Sequence, residues 1–183
     1  DADDDSVFNY LDTNSSRANI HQLNSKFMGQ RIGIIGLGGT GAYVLDFMAK
    51  TPVHEILLFD GDVFLQHNAF RAPGAPTIDV LSKQMMKVDY FASIYSNMHK
   101  GIKVHPVKIT EDNIGLLQGL SYVFICIDSN SARSMIITKL RQMGITFIDV
   151  GLGVNVAENN LVGTVRVTVG SAEKHDHIPN RIG

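Results

Sequence analysis

Short apolar runs alternate with helix-like segments along most of this 183-residue chain. The first such pair consists of the apolar run at residues 31–36 and the segment 40–50, whose apolar residues recur at helical spacing. Runs that are apolar on both faces are typical of parallel strands covered by helices on both sides. The alternation therefore predicts an α/β fold with a doubly wound, mostly parallel sheet.

The remaining segments extend this Rossmann-like pattern. Further strands are predicted at residues 55–60, 103–109, 122–128 and 146–150, and helices at 78–99, 111–120 and 132–143. Pro106 indicates that the third strand lies at an edge of the sheet. Over residues 163–169 valines alternate with polar residues, which predicts an antiparallel extension near the C-terminus with one exposed face.

Three regions are expected along the chain. An N-terminal arm with a short helix occupies residues 1–30, the core occupies 31–169, and a polar tail occupies 170–183. No run approaches the roughly 18 consecutive apolar residues of a membrane span. The acidic start at residues 1–5 is also unlike the basic start of a signal peptide. We therefore expect a cytoplasmic protein that does not enter a membrane.

Composition excludes several kinds of site and partner. The formal net charge of −2 provides no basic excess, so no nucleic-acid partner is expected. Cys126 is the single cysteine, so no intramolecular disulfide can form, and no Cys/His spacing matches a zinc site. Its position inside an apolar run predicts a buried packing residue. His175 and His177 lie in the polar tail and are expected to be unstructured.

A glycine-rich turn follows the first predicted strand. Its glycines are Gly36, Gly38, Gly39 and Gly41. Such a turn lets backbone N–H groups approach a phosphate, and the next helix directs its positive end there. NAD, FAD, S-adenosylmethionine or ATP can bind such a turn, which can also serve packing alone. Asp60, about twenty residues further on, is placed to accept hydrogen bonds from a ribose and favours a nucleotide.

The run from Asp60 to Arg71 favours ATP over the other nucleotides that a glycine turn can bind. Asp60 and Asp62 form an acid-x-acid pair, which is followed by Asn68-Ala69-Phe70-Arg71. An NAD dehydrogenase has no need for this amide and guanidinium, whereas a triphosphate under attack needs additional donors. The pattern resembles the signature of the ThiF/MoeB/HesA adenylyltransferases, which belong to the ubiquitin-activating-enzyme-like superfamily. The resemblance covers roughly residues 17–169.

The resemblance implies ATP-dependent adenylation of a carboxylate, with release of pyrophosphate. The acyl partner it implies is a ubiquitin-like or sulfur-carrier protein with a C-terminal glycine. Its expected catalytic residues are Asn68, Arg71, Lys87 and Asp128. Asp128 is also expected to hold Mg²⁺, and the ATP-binding set comprises Gly36, Gly38, Gly39, Gly41, Asp60, Asp62, Lys87 and Arg17. A homodimer is implied as well, with Arg17 reaching the ATP site of the partner subunit.

Alternatives remain open at this stage. Lys83 competes with Lys87 for the lysine role, and both lysines could simply be solvated on a helix. Asp60 and Asp128 could be helix N-caps. An NAD-dependent oxidoreductase and a non-catalytic ThiF-like scaffold are the rival functions, although the retained polar set argues against the scaffold. The chain lacks a Cys-x-x-Cys pair, and we expect it to be truncated before the family's crossover loop.

Overall fold

A single six-stranded sheet organises the computed structural model, which describes residues 6–158 and 160–178. The strands are β1 (Arg31–Ile35), β2 (Glu55–Phe59), β3 (Ile102–His105), β4 (Tyr122–Ile125), β5 (Thr146–Ala157) and β6 (Asn160–Gly170). They lie in the order β3-β2-β1-β4-β5-β6, and all neighbouring pairs are parallel except β5 and β6. This order confirms the predicted doubly wound sheet with an antiparallel extension.

Seven α-helices and one 3-10 turn accompany the strands within the described residues, and the first two helices precede β1. The helices are α1 (Thr13–Ala18), α2 (His21–Asn24), α3 (Gly39–Met48), α4 (Gln66–Ala69), α5 (Ile78–Ser82), α6 (Lys87–Tyr95) and α7 (Asn130–Gln142), and the 3-10 turn is Ile114–Leu117. The helix expected at 111–120 is thus reduced to that single turn. No helix in the described part of the chain has the length and apolarity needed to cross a membrane.

Both faces of the sheet are covered, because successive residues of each central strand point to opposite sides. Ile56 and Leu58 of β2 pack with α3 and α6 in one core, whereas Leu57 and Phe59 pack with α7 in the other. Ile34, Phe91 and Phe147 are among the large side chains that are essentially inaccessible to solvent. Two-sided burial explains why these strands are continuous apolar runs in the sequence.

The long helix predicted at residues 78–99 is wrong. Gln84 has a φ of +47°, a left-handed conformation that no helix interior accommodates, and it separates α5 from α6. The chain then forms a bridge between Met86 and Val63 before α6 begins at Lys87. The interruption draws the first turn of α6 against the residues that follow β2, since the Lys87 N–H donates to the Asp62 carbonyl.

The C-terminal hairpin also differs from expectation. β4 pairs with β5 only as far as Asp149, so residues 150–157 of β5 pair with β6 alone. Apolar side chains of this extension are exposed on both faces rather than one, as the adjacent residues Leu161 (78%) and Val162 (50%) illustrate. Beyond β6 the described residues 171–178 fold back on the sheet instead of forming an unstructured tail. Ile178 is buried in the core, and His177 bonds to the Val169 carbonyl.

Candidate functional site

A cavity of about 930 Å³ opens beyond the carboxyl ends of the strands. This is the edge of a doubly wound sheet at which ligands bind, because the strand-to-helix turns diverge there. The residues that line it are Gly36, Gly38, Gly39, Thr40, Tyr43, Asp60, Asp62, His67, Arg71, Lys87, Cys126, Ile127, Asp128, Asn130, Arg133, Val150, Gly151, Leu152, Gly153, Thr164 and Arg166. Most of the predicted site residues are therefore brought together in one place.

The glycine turn forms one wall of this cavity. Gly36 has a φ of +88°, and a Cβ there would lie 2.7 Å from the Cys126 carbonyl oxygen, so only glycine fits. Gly38 has open space around it, and α3 begins directly afterwards with its positive end toward the cavity. Gly41 does not line the cavity. A Cβ at Gly41 would lie 1.8 Å from the Gly36 carbonyl oxygen, which makes Gly41 a packing residue between helix and turn.

Asp60 holds the glycine turn in place. Its Oδ2 accepts a hydrogen bond from the Leu37 N–H at 2.7 Å, and its Oδ1 accepts one from the Asp62 N–H at 2.9 Å. The residue is only 8% exposed. Because each carboxylate oxygen can accept more than one hydrogen bond, Asp60 retains capacity for a ligand after these two are made. It is therefore both a structural link from β2 to the turn and an available acceptor.

Lys87 is a buried cation at the start of α6. Its Nζ lies 3.0 Å from Asp62 Oδ2 and 3.5 Å from Asp60 Oδ1, and the residue is 8% exposed. The ammonium and the Asp60 carboxylate therefore form an ion pair on one wall of the cavity. Lys83 is an exposed residue that follows α5 and does not line the cavity.

Lys108 is a second cation beside the acid pair, and sequence reasoning missed it. Its Nζ lies 2.9 Å from Asp62 Oδ1, and the side chain is 70% exposed. Hydrogen bonds from Lys108 and Lys87 lower the pKa of Asp62, and Asp62 in turn raises the pKa of Lys108. The strand predicted at residues 103–109 ends earlier, at His105, so Lys108 lies beyond β3 and its side chain reaches Asp62.

Asn68 and Arg71 lie on the loop that contains α4. Asn68 is 2% exposed, and its Oδ1 accepts from the Leu65 N–H at 2.9 Å. Its buried Nδ2 finds no acceptor among the described residues. Arg71 is exposed, lines the cavity and contacts the glycine turn through its own backbone, with its carbonyl oxygen 3.1 Å from where a Cβ of Gly39 would stand. The loop thus returns over the glycine turn and brings Arg71, but not Asn68, to the lining of the cavity.

Asp128 and Cys126 follow β4 at the cavity. Asp128 is exposed, and within the described residues its carboxylate has no hydrogen-bond or ion-pair partner. No group of three or more His, Cys, Asp or Glu side chains in that part of the chain could hold a metal by itself. Cys126 is partly buried in the wall, and burial raises the pKa of its thiol to about 12. A thiol protonated at neutral pH is a poor nucleophile, in accord with a packing role.

Three charged residues that were not predicted complete the opposite end of the cavity. Arg133 of α7 and Arg166 of β6 both bond to Asp149 of β5, which is fully buried. The feature of the sequence that could have indicated this cluster is Asp149, a charged residue inside an otherwise apolar strand. Arg17, by contrast, is exposed on α1 and does not line the cavity of its own chain.

Together the fold and the cavity define a Rossmann-like α/β domain whose strand ends carry a glycine turn and a mixed set of carboxylates and cations. The sequence pattern of the ThiF family matches residues 15–161. The chain belongs to this family, which confirms the resemblance noted in the sequence.

Relatives and solved structures agree with this placement. The chain is 26% identical over 132 residues to adenylyltransferase and sulfurtransferase UBA4 of Saccharomyces cerevisiae (strain YJM789), which covers 70% of this chain and 29% of the relative. It is 27% identical over 151 residues to ubiquitin-like modifier-activating enzyme 5 of Rattus norvegicus, covering 75% and 36%. It therefore spans about a third of the length of these relatives.

The fold is also similar to that of the E. coli tRNA N6-threonylcarbamoyladenosine dehydratase, TcdA. The match to its complex with AMP has a TM-score of 0.68 and 24% identity, and it covers 78% of this chain and 59% of that one. TcdA has also been solved in complex with ATP.

Proposed function

We propose that this chain carries the ATP-binding core of an adenylyltransferase that activates a carboxylate with ATP. The observation that carries the proposal is the convergence of Arg71, Lys87 and Asp128 on the cavity that the glycine turn opens. A triphosphate under nucleophilic attack requires cations and donors around its phosphates. The dinucleotide cofactor of an oxidoreductase does not require these additional cations.

The nucleotide would lie across the ends of β2, β1 and β4. Asp60 would accept from the ribose, while backbone N–H groups at Gly38 and Gly39 and the positive end of α3 would face the phosphates. Arg71, on the loop above the turn, would neutralise phosphate charge. The unpartnered Nδ2 of Asn68 is an amide donor that a phosphate oxygen or a small loop adjustment could satisfy.

In the reaction, an oxygen of the acyl carboxylate attacks the α-phosphorus of ATP. A bond forms between the carboxylate oxygen and the α-phosphorus. The bond between the α-phosphorus and the oxygen that links it to the β-phosphorus breaks, and pyrophosphate leaves with that oxygen. Both reactants are anionic, so the protein contributes position and charge neutralisation rather than proton transfer. Lys87 is held by Asp60 and Asp62, and this fixes its ammonium at the cavity instead of leaving it to move on a flexible stem.

Asp128 fits a role as the protein ligand of Mg²⁺. Magnesium commonly binds through one or two carboxylates and completes its shell with phosphate oxygens and water. The free carboxylate of Asp128 at the cavity wall fits this mode of magnesium binding. The described residues contain no larger cluster of metal ligands, which fits it as well. The metal would neutralise phosphate charge when bound with the nucleotide.

The acyl substrate we propose is the C-terminal glycine of a ubiquitin-like or sulfur-carrier protein. Two relatives support this class by name, one as an adenylyltransferase and sulfurtransferase and one as a ubiquitin-like modifier-activating enzyme. A homodimer in which Arg17 reaches the partner's site, and a cytoplasmic location, remain predictions.

Exchange of radiolabel between pyrophosphate and ATP tests the proposal. We expect exchange that depends on Mg²⁺ and on an added small protein ending in Gly-Gly. Asp128→Asn should reduce the exchange rate at least about a hundredfold, because the carboxylate is lost while its volume is kept. Ser129→Ala, a neighbouring change outside the charged set, should retain exchange. Full activity of Asp128→Asn would refute the assigned role.

A further inference from the structure

A fully buried carboxylate joins two arginines at the hairpin end of the cavity. Asp149 Oδ1 accepts from Arg133 Nε at 2.9 Å, and Asp149 Oδ2 accepts from Arg166 Nη2 at 3.2 Å. A buried carboxylate is strongly destabilising unless it is paired, so Asp149 fixes the position of both guanidinium groups. Two cations against one anion leave the cluster with one net positive charge, which favours an anion nearby.

All three guanidinium nitrogens of Arg133 donate to partners within the protein. Besides Asp149, it donates through Nη1 to Asn130 Oδ1 at 2.6 Å and through Nη2 to the Ile127 carbonyl. The residue is 5% exposed. Its bonds tie α7 to the segment that carries Asp128, so its role is to position that segment.

Arg166 is different, because the protein uses only part of its donor capacity. Its side chain is 35% exposed and lines the cavity, with one nitrogen bonded to Asp149. Its Nε is buried and has no acceptor among the described residues, so the exposed Nη groups are the ones that a ligand can reach. The guanidinium lies against Gly151, with Nη2 3.6 Å from where a Cβ would stand. It is thus held in place at the cavity wall and can still donate hydrogen bonds to an anionic ligand.

The separation of the strands sets Arg166 apart from the predicted phosphate site. Asp60 and Lys87 lie at the end of β2, whereas Asp149 lies on β5, and β1 and β4 intervene. With neighbouring strands about 4.8 Å apart, three spacings amount to roughly 14 Å. Asp60 and Lys87 therefore cannot share one phosphate with Arg166, and a nucleotide lying across the ends of β2, β1 and β4 would leave the β5 side of the cavity for a second anion directly beside it.

The edge of β5 beside Arg166 is open to an extended chain. In the described structure, residues 150–157 make backbone ladder bonds with β6 alone, because β4 has already ended. Gly151 and Gly153 present no side chain on this wall, and open space surrounds the Cβ position of Gly153. A peptide tail can therefore approach the backbone here and add along the free edge.

We propose that Arg166, positioned by Asp149, binds the terminal carboxylate of the acyl substrate as its extended tail enters along β5. This makes Arg166 a specificity-determining residue for a free carboxylate end. The inference rests on the proposed adenylyltransferase function, whose acyl substrate is an anion distinct from the nucleotide.

The test uses two fluorescent synthetic peptides that end in Gly-Gly, one with a free carboxylate and one with a terminal amide. The full chain, saturated with α,β-methylene-ATP, is titrated into each peptide, and binding is followed by fluorescence anisotropy. The AMP group of this analogue cannot be transferred to the peptide. Wild type should bind the acid about tenfold more tightly than the amide, as expected of a charge-assisted bond. Arg166→Gln, whose amide can still donate to Asp149, should lose that preference, and Arg166→Lys should recover part of it.

Arg141→Gln is the matched control, since Arg141 is an exposed arginine on α7 outside this cavity. It should keep the preference for the acid. Calorimetric titration with ATP separates the two claims. If ATP does not bind wild type, the proposed function fails; if ATP binds but Arg166→Gln still prefers the acid, or wild type shows no preference, the inference alone fails. Loss of ATP affinity in Arg166→Gln would also overturn it, by assigning Arg166 to the nucleotide.

Discussion

Replacing Lys87 should destabilise the fold as well as the site. Breaking a buried ion pair commonly costs about 3–5 kcal/mol. Asp60 would keep its bonds from the Leu37 and Asp62 N–H groups, so part of that cost is avoided. The contact with Asp62 adds under about 1 kcal/mol, because that carboxylate is 49% exposed. We therefore expect Lys87→Met to lower the free energy of unfolding by about 2–3 kcal/mol.

Urea unfolding followed by circular dichroism measures this change. Lys83→Met is the matched control, since Lys83 is exposed nearby, and it should change the free energy of unfolding by no more than about 0.5 kcal/mol. In an Asp60→Asn background the effect of Lys87→Met should shrink by about 1–2 kcal/mol, because the buried charge it leaves unpaired is gone. Equal stabilities for the Lys87→Met and Lys83→Met variants would refute the reasoning.

Three further outcomes follow from local geometry. Gly41→Ala should lower the free energy of unfolding in urea by about 3 kcal/mol, because the added Cβ would meet the Gly36 carbonyl. Gly153→Ala should be nearly neutral, since open space surrounds that position. Equal effects of the two changes would contradict the packing role of Gly41. Burial lowers the pKa of His99 below its ordinary 6.5, so the unfolded state binds more protons and stability should fall as pH drops from 6.5. His99→Gln should flatten that dependence in unfolding curves at successive pH values, and an unchanged slope would exclude His99. Cys126→Ala should retain pyrophosphate exchange, since its thiol stays protonated at neutral pH, and loss of exchange would show that Cys126 contributes to adenylation itself and is more than a packing residue.

The sheet and one end of the site could be predicted from sequence because their signals are local. A strand buried on both faces is an apolar run, and the glycine turn and Asp60 follow such runs directly. The β2 end therefore shows in the chain as a motif, with Asp60, Asn68 and Arg71 within twelve positions.

The other features depend on contacts between distant segments. Nothing in the sequence around Gln84 indicates a positive φ, and that one residue decides whether Lys87 starts a helix beside Asp62. Arg133 and Arg166 meet on Asp149 across separations of 16 and 17 residues, which only the sheet topology brings together. Arg133 and Arg166 taken alone look like ordinary surface charges.

Calorimetric titration of the chain with ATP and Mg²⁺, and separately with NAD, tests the central claim most directly. We predict that ATP binds at least about tenfold more tightly than NAD, a difference of about 1.4 kcal/mol. Arg71→Gln should remove most of this advantage, since Arg71 faces the cavity without a protein partner in the described residues. Tight binding of NAD with no binding of ATP would contradict the account.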